Sequence, residues 1–262
     1  KQAIAALPAV SQFAVAGAFD LAKATSLAAD AQSALGLKVK DASQNLKNLT
    51  RVTDVLVKAN TLANATTEQF SRALTTKAGT AIKIVNKEIE EGVAVLAAFA
   101  DQGIKAENAG TALNIVFRDL KTKGLKFRGE WAKLGGVFDK NTGKMRHMAD
   151  IVESLEHHIA GMSEEASHAA LKTLGFADKS LVFTQALIGM SGKIRDFEKN
   201  LKKAGGTTDK VAEKQLKNLA DRFTIARQRV NEMMIELGEQ LVPAFETVAV
   251  LIEDVGAKIG EL

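Results

Sequence analysis

Apolar residues recur at spacings of three and four along most of this chain, and glycines divide the pattern into short segments. This spacing places apolar side chains on one face of an α-helix. The 262 residues include only two prolines, and aromatic residues make up only 5% of them. The apolar content is therefore mostly aliphatic, and Ala, Lys, Gln and Glu, which favour helices, are abundant. The sequence predicts an all-α fold built from many short helices.

Capping residues predict where several of these helices begin. Asp20, Asp41 and Ser163 each precede a helical pattern and are candidate N-caps. Thr66, followed three residues later by Gln69, has the spacing of a capping box. A fresh helix is therefore expected after each of these positions.

Two further boundaries are expected from proline and from the apolar pattern. Pro8 suits the first turn of a helix, where its missing N–H leaves no hydrogen bond unmade. Later in the chain, a helix is expected over residues 178–190, and another over 193–204.

Glycines cluster between residues 124 and 146, and this segment is the best candidate for a domain boundary. Within it, residues 137–145 predict a small turn or hairpin. We therefore expect four regions: an N-terminal helical region (1–123), a glycine-rich connector with a small hairpin (124–146), a second helical region (147–206) and a long helix (207–262). Both chain ends lie in helix-like sequence, so the chain is expected to be a segment of a longer protein.

The last region carries the longest regular apolar pattern, with members alternating by three and four as in the a and d positions of a coiled coil. Such a stripe packs either on its own domain or on other copies of the chain, and the pattern leaves both open. The candidate self-association residues are Leu216, Leu219, Phe223, Val230, Met233 and Leu237.

No set of residues predicts catalysis. The chain has no G-x-S-x-G motif, no phosphate-binding glycine loop and no evident pair of carboxylates in an apolar setting. Cysteine is absent, which excludes disulfides, thiolate catalysis and cysteine-ligated metal. We therefore predict a protein that is not an enzyme and that uses no cofactor.

Histidines paired with glutamates raise the question of metal binding. Glu153 with His157, and Glu164 with His168, are four residues apart and could in principle hold zinc. Such pairs are common on helix surfaces, and no H-E-x-x-H motif is present. The turn that starts at Asp139 lacks the EF-hand spacing. No metal site is predicted.

The net charge of +4 comes from 35 basic and 31 acidic residues, a mixed surface without the footprint of a nucleic-acid-binding protein. One basic cluster at residues 121–128 lies near Phe127 and Trp131, which would allow weak contact with nucleic acid or lipid headgroups. Solvated helix ends are the favoured interpretation of this cluster.

Several segments, in order, resemble one known family. Residues 97–113 (AAFADQGIKAENAGTAL) and 138–146 (FDKNTGKMR) are similar to signatures of phage tail tape measure proteins of the TP901 type. Residues 150–165 and 236–245 resemble a following helix and a C-terminal LG..L.PAL step of the same family. Upstream, residues 7–10 and 54–60 also match, so the resemblance covers nearly the whole chain.

This resemblance implies a structural protein inside the phage tail tube of the virion, made in the host cytoplasm. Such proteins set tail length during assembly and are released at genome ejection. The implied partners are the tail tube protein, tail-tip or baseplate proteins and further copies of the chain, with a trimer as one expected form. DNA lies nearby without specific binding, and contact with the host membrane occurs at ejection.

Two other functions remain open from the sequence. The charge-free start at residues 2–19 is compatible with a membrane-active helical protein that forms a channel for DNA delivery. A helical scaffold or interaction domain unrelated to phage is the other alternative.

Overall fold

The fold is all-α, as predicted. The structure, a computed structural model, describes residues 2–230 and 232–233. Within these residues there is no β-sheet, and one isolated antiparallel bridge joins Phe138 to Met145 inside the predicted turn. The helices are α1 (Gln2–Gly17), α2 (Leu21–Ala34), α3 (Ala42–Leu62), α4 (Thr67–Ala73), α5 (Gly79–Ile84), α6 (Ile89–Asp101), α7 (Ala106–Lys126), α8 (Arg128–Lys133), α9 (Met148–Ile159), α10 (Glu164–Thr173), α11 (Asp178–Gln185), α12 (Ser191–Leu201) and α13 (residues 207–230). A π-helical turn, Leu74–Ala78, connects α4 to α5.

The predicted N-caps are confirmed. The Asp20 carboxylate accepts a hydrogen bond from the backbone N–H of Lys23 at 2.8 Å, and Asp41 does the same for the third residue of α3. Thr66 and Gln69 form both hydrogen bonds of a capping box. These bonds satisfy N–H groups that the first turn of a helix leaves without partners, so local sequence is sufficient to predict them.

Two predicted boundaries are wrong. Pro8 lies inside α1 and not in its first turn, because the helix already begins at Gln2 in Ala-rich sequence. The helix expected over residues 178–190 ends at Gln185. The cause of this early end is tertiary: the Glu156 carboxylate of α9 accepts N–H groups of Gly189 and Ser191 at 2.8 and 3.1 Å. The same contact places the start of α12 at Ser191.

Helix α6 forms the centre of the core. Every residue from 89 to 100 is buried, and the helix packs against α3, α7 and α12. Helix α7 also crosses α4 closely. At Gly110 of α7, a β-carbon would lie 2.3 Å from the carbonyl oxygen of Ala73, so only glycine fits there. Small residues therefore set the distance between these two helices.

A buried carboxylate caps the last described helix. Asp54 of α3 is 4% exposed, and its two oxygens accept the N–H groups of Gly206 and Thr208, both at 2.8 Å. These bonds join residues more than 150 positions apart in the sequence. The start of α13 is thus attached to the core.

By its internal contacts the chain divides into two compact units, Lys1–Ala212 and Glu213–Leu262. The core of the first unit includes residues from the connector, among them Trp131 and Val137, together with residues on both sides of it. The predicted boundary at residues 124–146 stays a prediction. In the second unit, residues 213–230 are helical and exposed.

No single described helix is both long and apolar enough to cross a membrane. One pair, residues 4–17 and 21–34 of α1 and α2, meets that test only when taken together, and the two helices are bent by 107°.

Candidate interaction surface

Four of the six predicted self-association residues lie on one face of α13, and a fifth, Met233, continues the same spacing at helical residues 232–233. Successive residues of an α-helix are 100° apart, so the spacing of three and four keeps these side chains within a narrow arc. Each is between 49% and 68% exposed. We call this set the apolar stripe: Leu216, Leu219, Phe223, Val230 and Met233. The sixth predicted residue, Leu237, lies outside the described residues.

The other faces of this helix are mainly polar. Ile225, which is 49% exposed, is the exception, and it lies about 200° around the helix from Phe223. Full burial of an exposed aliphatic or aromatic side chain is worth about 1.5–3 kcal/mol. Burial of the five members against a partner would therefore stabilise the complex substantially. Exposed apolar patches of this kind mark interaction sites more often than chance.

The connector is held by one arginine of the resemblance segment. Arg146 donates from its guanidinium to the carbonyl oxygens of Leu134 and Gly136, at 3.2 and 2.7 Å, and to the Ser154 hydroxyl on α9 at 3.2 Å. Its own carbonyl oxygen accepts the Lys87 ammonium at 2.8 Å. The arginine therefore ties the turn to the end of α8, to α9 and to the loop before α6, which gives the GKMR segment a structural role.

The turn at residues 139–143 is an Asx-type turn. One oxygen of Asp139 accepts the backbone N–H groups of Asn141 and Thr142 as well as the Thr142 hydroxyl. These hydrogen bonds, the backbone bond from Thr142 first, hold the pKa of Asp139 below its ordinary value. The carboxylate is therefore already satisfied by the turn itself.

A group of charged side chains lies between α6, α9 and α12. Glu91 is buried, and one of its oxygens accepts the Lys87 ammonium at 2.9 Å and the backbone N–H of Met148 at 2.8 Å. On α12, Glu198 pairs with Lys202 at 2.6 Å, and this hydrogen bond raises the pKa of Lys202. The His147 imidazole lies between the two carboxylates.

The two Glu–His pairs considered from the sequence do not gather further ligands. His157 and His168 are both exposed. Glu153 instead forms an ion pair with Arg195 at 3.0 Å, and Arg195 also pairs with Asp150 at 2.7 Å. The two carboxylates raise the pKa of Arg195. The grouping of Glu91, His147 and Glu198 was missed because its members are more than 50 residues apart in the sequence.

For the basic cluster at residues 121–128, the open alternative of weak nucleic-acid contact finds no support at Trp131. Trp131 is 1% exposed, and its indole N–H donates to the carbonyl oxygen of Leu174 at 3.0 Å. Its ring contacts Phe176 edge to face. A ring so deeply buried cannot stack on a nucleotide.

A comparison with protein families identifies the family of this chain. A family model described as "Phage-related minor tail protein" matches residues 1–175, a range that includes the core helices α3, α6 and α7 and the Arg146 turn. The chain is also 26% identical over 251 residues to the tape measure protein of Pneumococcus phage Dp-1. That match covers 95% of this chain and 20% of the phage Dp-1 protein, so the chain spans about a fifth of that relative's length.

No solved structure matches the chain. The family model, however, covers more than half of it. The chain therefore belongs to the phage-related minor tail proteins and has a structural role in a phage tail.

Proposed function

We propose that this chain is a segment of a tape measure protein that occupies the tail tube, sets tail length during assembly and is released at genome ejection. The main support is the similarity to a tape measure protein over 95% of the chain. In this proposal the neighbours are the tail tube protein and the tail-tip or baseplate proteins. DNA passes nearby without specific binding, and contact with the host membrane follows at ejection.

The two compact units would contribute differently to length. An α-helix rises 1.5 Å per residue, so an extended helix lengthens in proportion to its residues. A compact helical unit such as Lys1–Ala212 does not lengthen in this way. Residues inserted into such a unit form a loop on its surface and leave its length unchanged. We infer that the helix of the second unit, which is described over residues 213–230, belongs to the part of the protein that measures length.

An insertion in the phage gene tests this inference. Six extra heptads, about 42 residues that continue the apolar spacing after Ala220, should lengthen the tail by ~63 Å. A flexible insertion of the same size between Asn141 and Thr142, in the exposed turn, should leave tail length unchanged. Electron microscopy of intact virions measures both. Equal tail lengths in wild type and helix-insertion phage would refute a measuring role for this helix.

We further propose that the apolar stripe joins copies of the chain, with a trimer as the expected form. The stripe is exposed along five members and has the three-four spacing that coiled coils use. A parallel bundle of such helices would fit a narrow tube and would cover every member of the stripe.

The substitution Phe223→Glu should weaken self-association of the 262-residue chain by at least about ten-fold. Phe223 is the most exposed member of the stripe, and a glutamate there would bring like charges together in the bundle and remove apolar burial worth about 1.5–3 kcal/mol. Ile225→Glu, on the other side of the same helix, is the matched control and should have little effect. Sedimentation equilibrium measures the association constants. A monomeric wild type, or equal losses in the two variants, would count against the stripe as the interface.

A further inference from the structure

The charged group between α6, α9 and α12 has the geometry of a metal site. The Nδ1 atom of His147 lies 3.4 Å from one oxygen of Glu91 and 3.6 Å from one oxygen of Glu198. All three atoms lie within 4.8 Å of one another. Both histidine–carboxylate distances exceed the ordinary length of an N–H···O hydrogen bond, so hydrogen bonding does not account for the spacing.

The distances agree with tetrahedral zinc. Nitrogen and oxygen ligands lie about 2.0–2.2 Å from Zn²⁺, which places neighbouring ligand atoms of a tetrahedron about 3.4 Å apart. The distances from His147 Nδ1 to the oxygens of Glu91 and Glu198, 3.4 and 3.6 Å, are already close to that value. The distance between the ligand oxygens of Glu91 and Glu198 is at most 4.8 Å and would have to shorten when the ion binds. From these observations we propose that Glu91, His147 and Glu198 bind one Zn²⁺ ion, with water as the fourth ligand.

The ligands are positioned before any ion binds. Glu91 and Glu198 are 4% and 9% exposed at their side chains, and they belong to two packed helices. The second oxygen of Glu91 is fixed by the Met148 N–H and the Lys87 ammonium. Metal sites commonly hold their carboxylate ligands through such hydrogen bonds. His147 is the N-cap residue of α9, so its backbone position is also fixed by a helix end.

The ion has a route to the site and one competitor. His147 is 57% exposed at its side chain, and a cleft of about 460 Å³ lies beside it, lined in part by Glu198 and Lys202. The competitor is the Lys202 ammonium, which occupies the same oxygen of Glu198 at 2.6 Å. Lys202 is 55% exposed at its side chain and can turn into solvent when the ion binds.

A zinc ion at this position would fasten α6, the start of α9 and α12 in a protein that has no cysteine. Since the site holds three protein ligands contributed by residues 91, 147 and 198, binding would stabilise the folded state relative to the unfolded chain. The inference depends on the geometry of the first compact unit and is independent of the tail-length proposal.

Titration of the full 262-residue chain with ZnCl₂ tests the site. We expect one equivalent to bind and to raise the melting temperature. His147→Ala should weaken binding by more than about ten-fold and remove the thermal shift. His157→Ala and His168→Ala are matched controls, since each removes an exposed histidine four residues from a glutamate, and both should bind as the wild type does. Calorimetry and helical circular dichroism give affinity and fold in the same samples.

Lys202→Gln distinguishes the proposed site from nonspecific binding. Removal of the competing ammonium should tighten Zn²⁺ binding, whereas a site elsewhere would not respond. Co²⁺ in place of Zn²⁺ should give the strong visible absorption of a tetrahedral site in wild type, and His147→Ala should lose it. Unchanged affinity in His147→Ala, or equal loss in the His157→Ala control, would overturn the proposal.

Discussion

Replacement of Gly110 by alanine should lower the free energy of unfolding by about 3 kcal/mol, because overpacking of a tight contact costs about 1–3 kcal/mol and occasionally more. The new β-carbon would lie 2.3 Å from the carbonyl oxygen of Ala73 and 3.1 Å from its carbonyl carbon. These are backbone atoms, so no side-chain rotation relieves the contact. Helix α7 would have to move away from α4, and the buried neighbours Ala109 and Ala112 would lose packing.

The sign of this effect separates packing from helix propensity. Alanine is favoured over glycine inside a helix by about 1 kcal/mol, so propensity alone predicts stabilisation by Gly110→Ala. Gly129→Ala in α8 provides the control, since no atom other than those of its chain neighbours and its own helix backbone lies within 4 Å of its β-carbon position. That variant should be neutral or more stable by up to about 1 kcal/mol. Urea denaturation followed by circular dichroism measures both, and stabilisation by Gly110→Ala would show that the α4–α7 contact is not tight.

Replacement of Trp131 by alanine should cost about 3–5 kcal/mol, the usual range for removing a buried tryptophan. Its side chain is 1% exposed, packs edge to face on Phe176 and donates its indole N–H to Leu174. The truncation would leave a cavity between α8 and the segment after α10, together with a carbonyl oxygen that has lost its donor.

A second variant separates the contribution of ring packing from that of the indole hydrogen bond. Trp131→Phe keeps an aromatic ring and loses the hydrogen bond, so it should cost about 1–2 kcal/mol less than Trp131→Ala. Leu125→Ala, at a side chain 52% exposed on α7, is the control and should change stability by less than about 0.5 kcal/mol. Trp131 is also the single tryptophan of the chain, so its fluorescence reports its own burial in the wild type. Emission typical of solvent-exposed indole would contradict the structure.

Sequence was a good guide wherever structure depends on neighbouring residues. The caps at Asp20, Asp41 and Thr66 were predictable because a side chain and the N–H group it satisfies lie within three residues. The turn at Asp139 was predictable for the same reason. The apolar stripe could also be identified, since the three-four spacing places its members on one face whatever the surroundings are.

Features that depend on distant residues could not be predicted. The end of α11 is set by Glu156, and the burial of Trp131 depends on a carbonyl group 43 residues away. His147 meets Glu91 and Glu198 only because α6, α9 and α12 pack together. Sequence spacing instead indicated His157 and His168, because each has a glutamate four residues earlier in the sequence.

The attachment of α13 at Asp54 has a mechanical consequence. If the proposed release at ejection pulls the chain from its C-terminal side, the tension reaches the first compact unit through residues 206–208. The two hydrogen bonds to Asp54 are loaded there together, at the buried centre of α3 and not at a chain end. The force therefore reaches the core directly, so the unit resists peeling from its C-terminal side until these two bonds break.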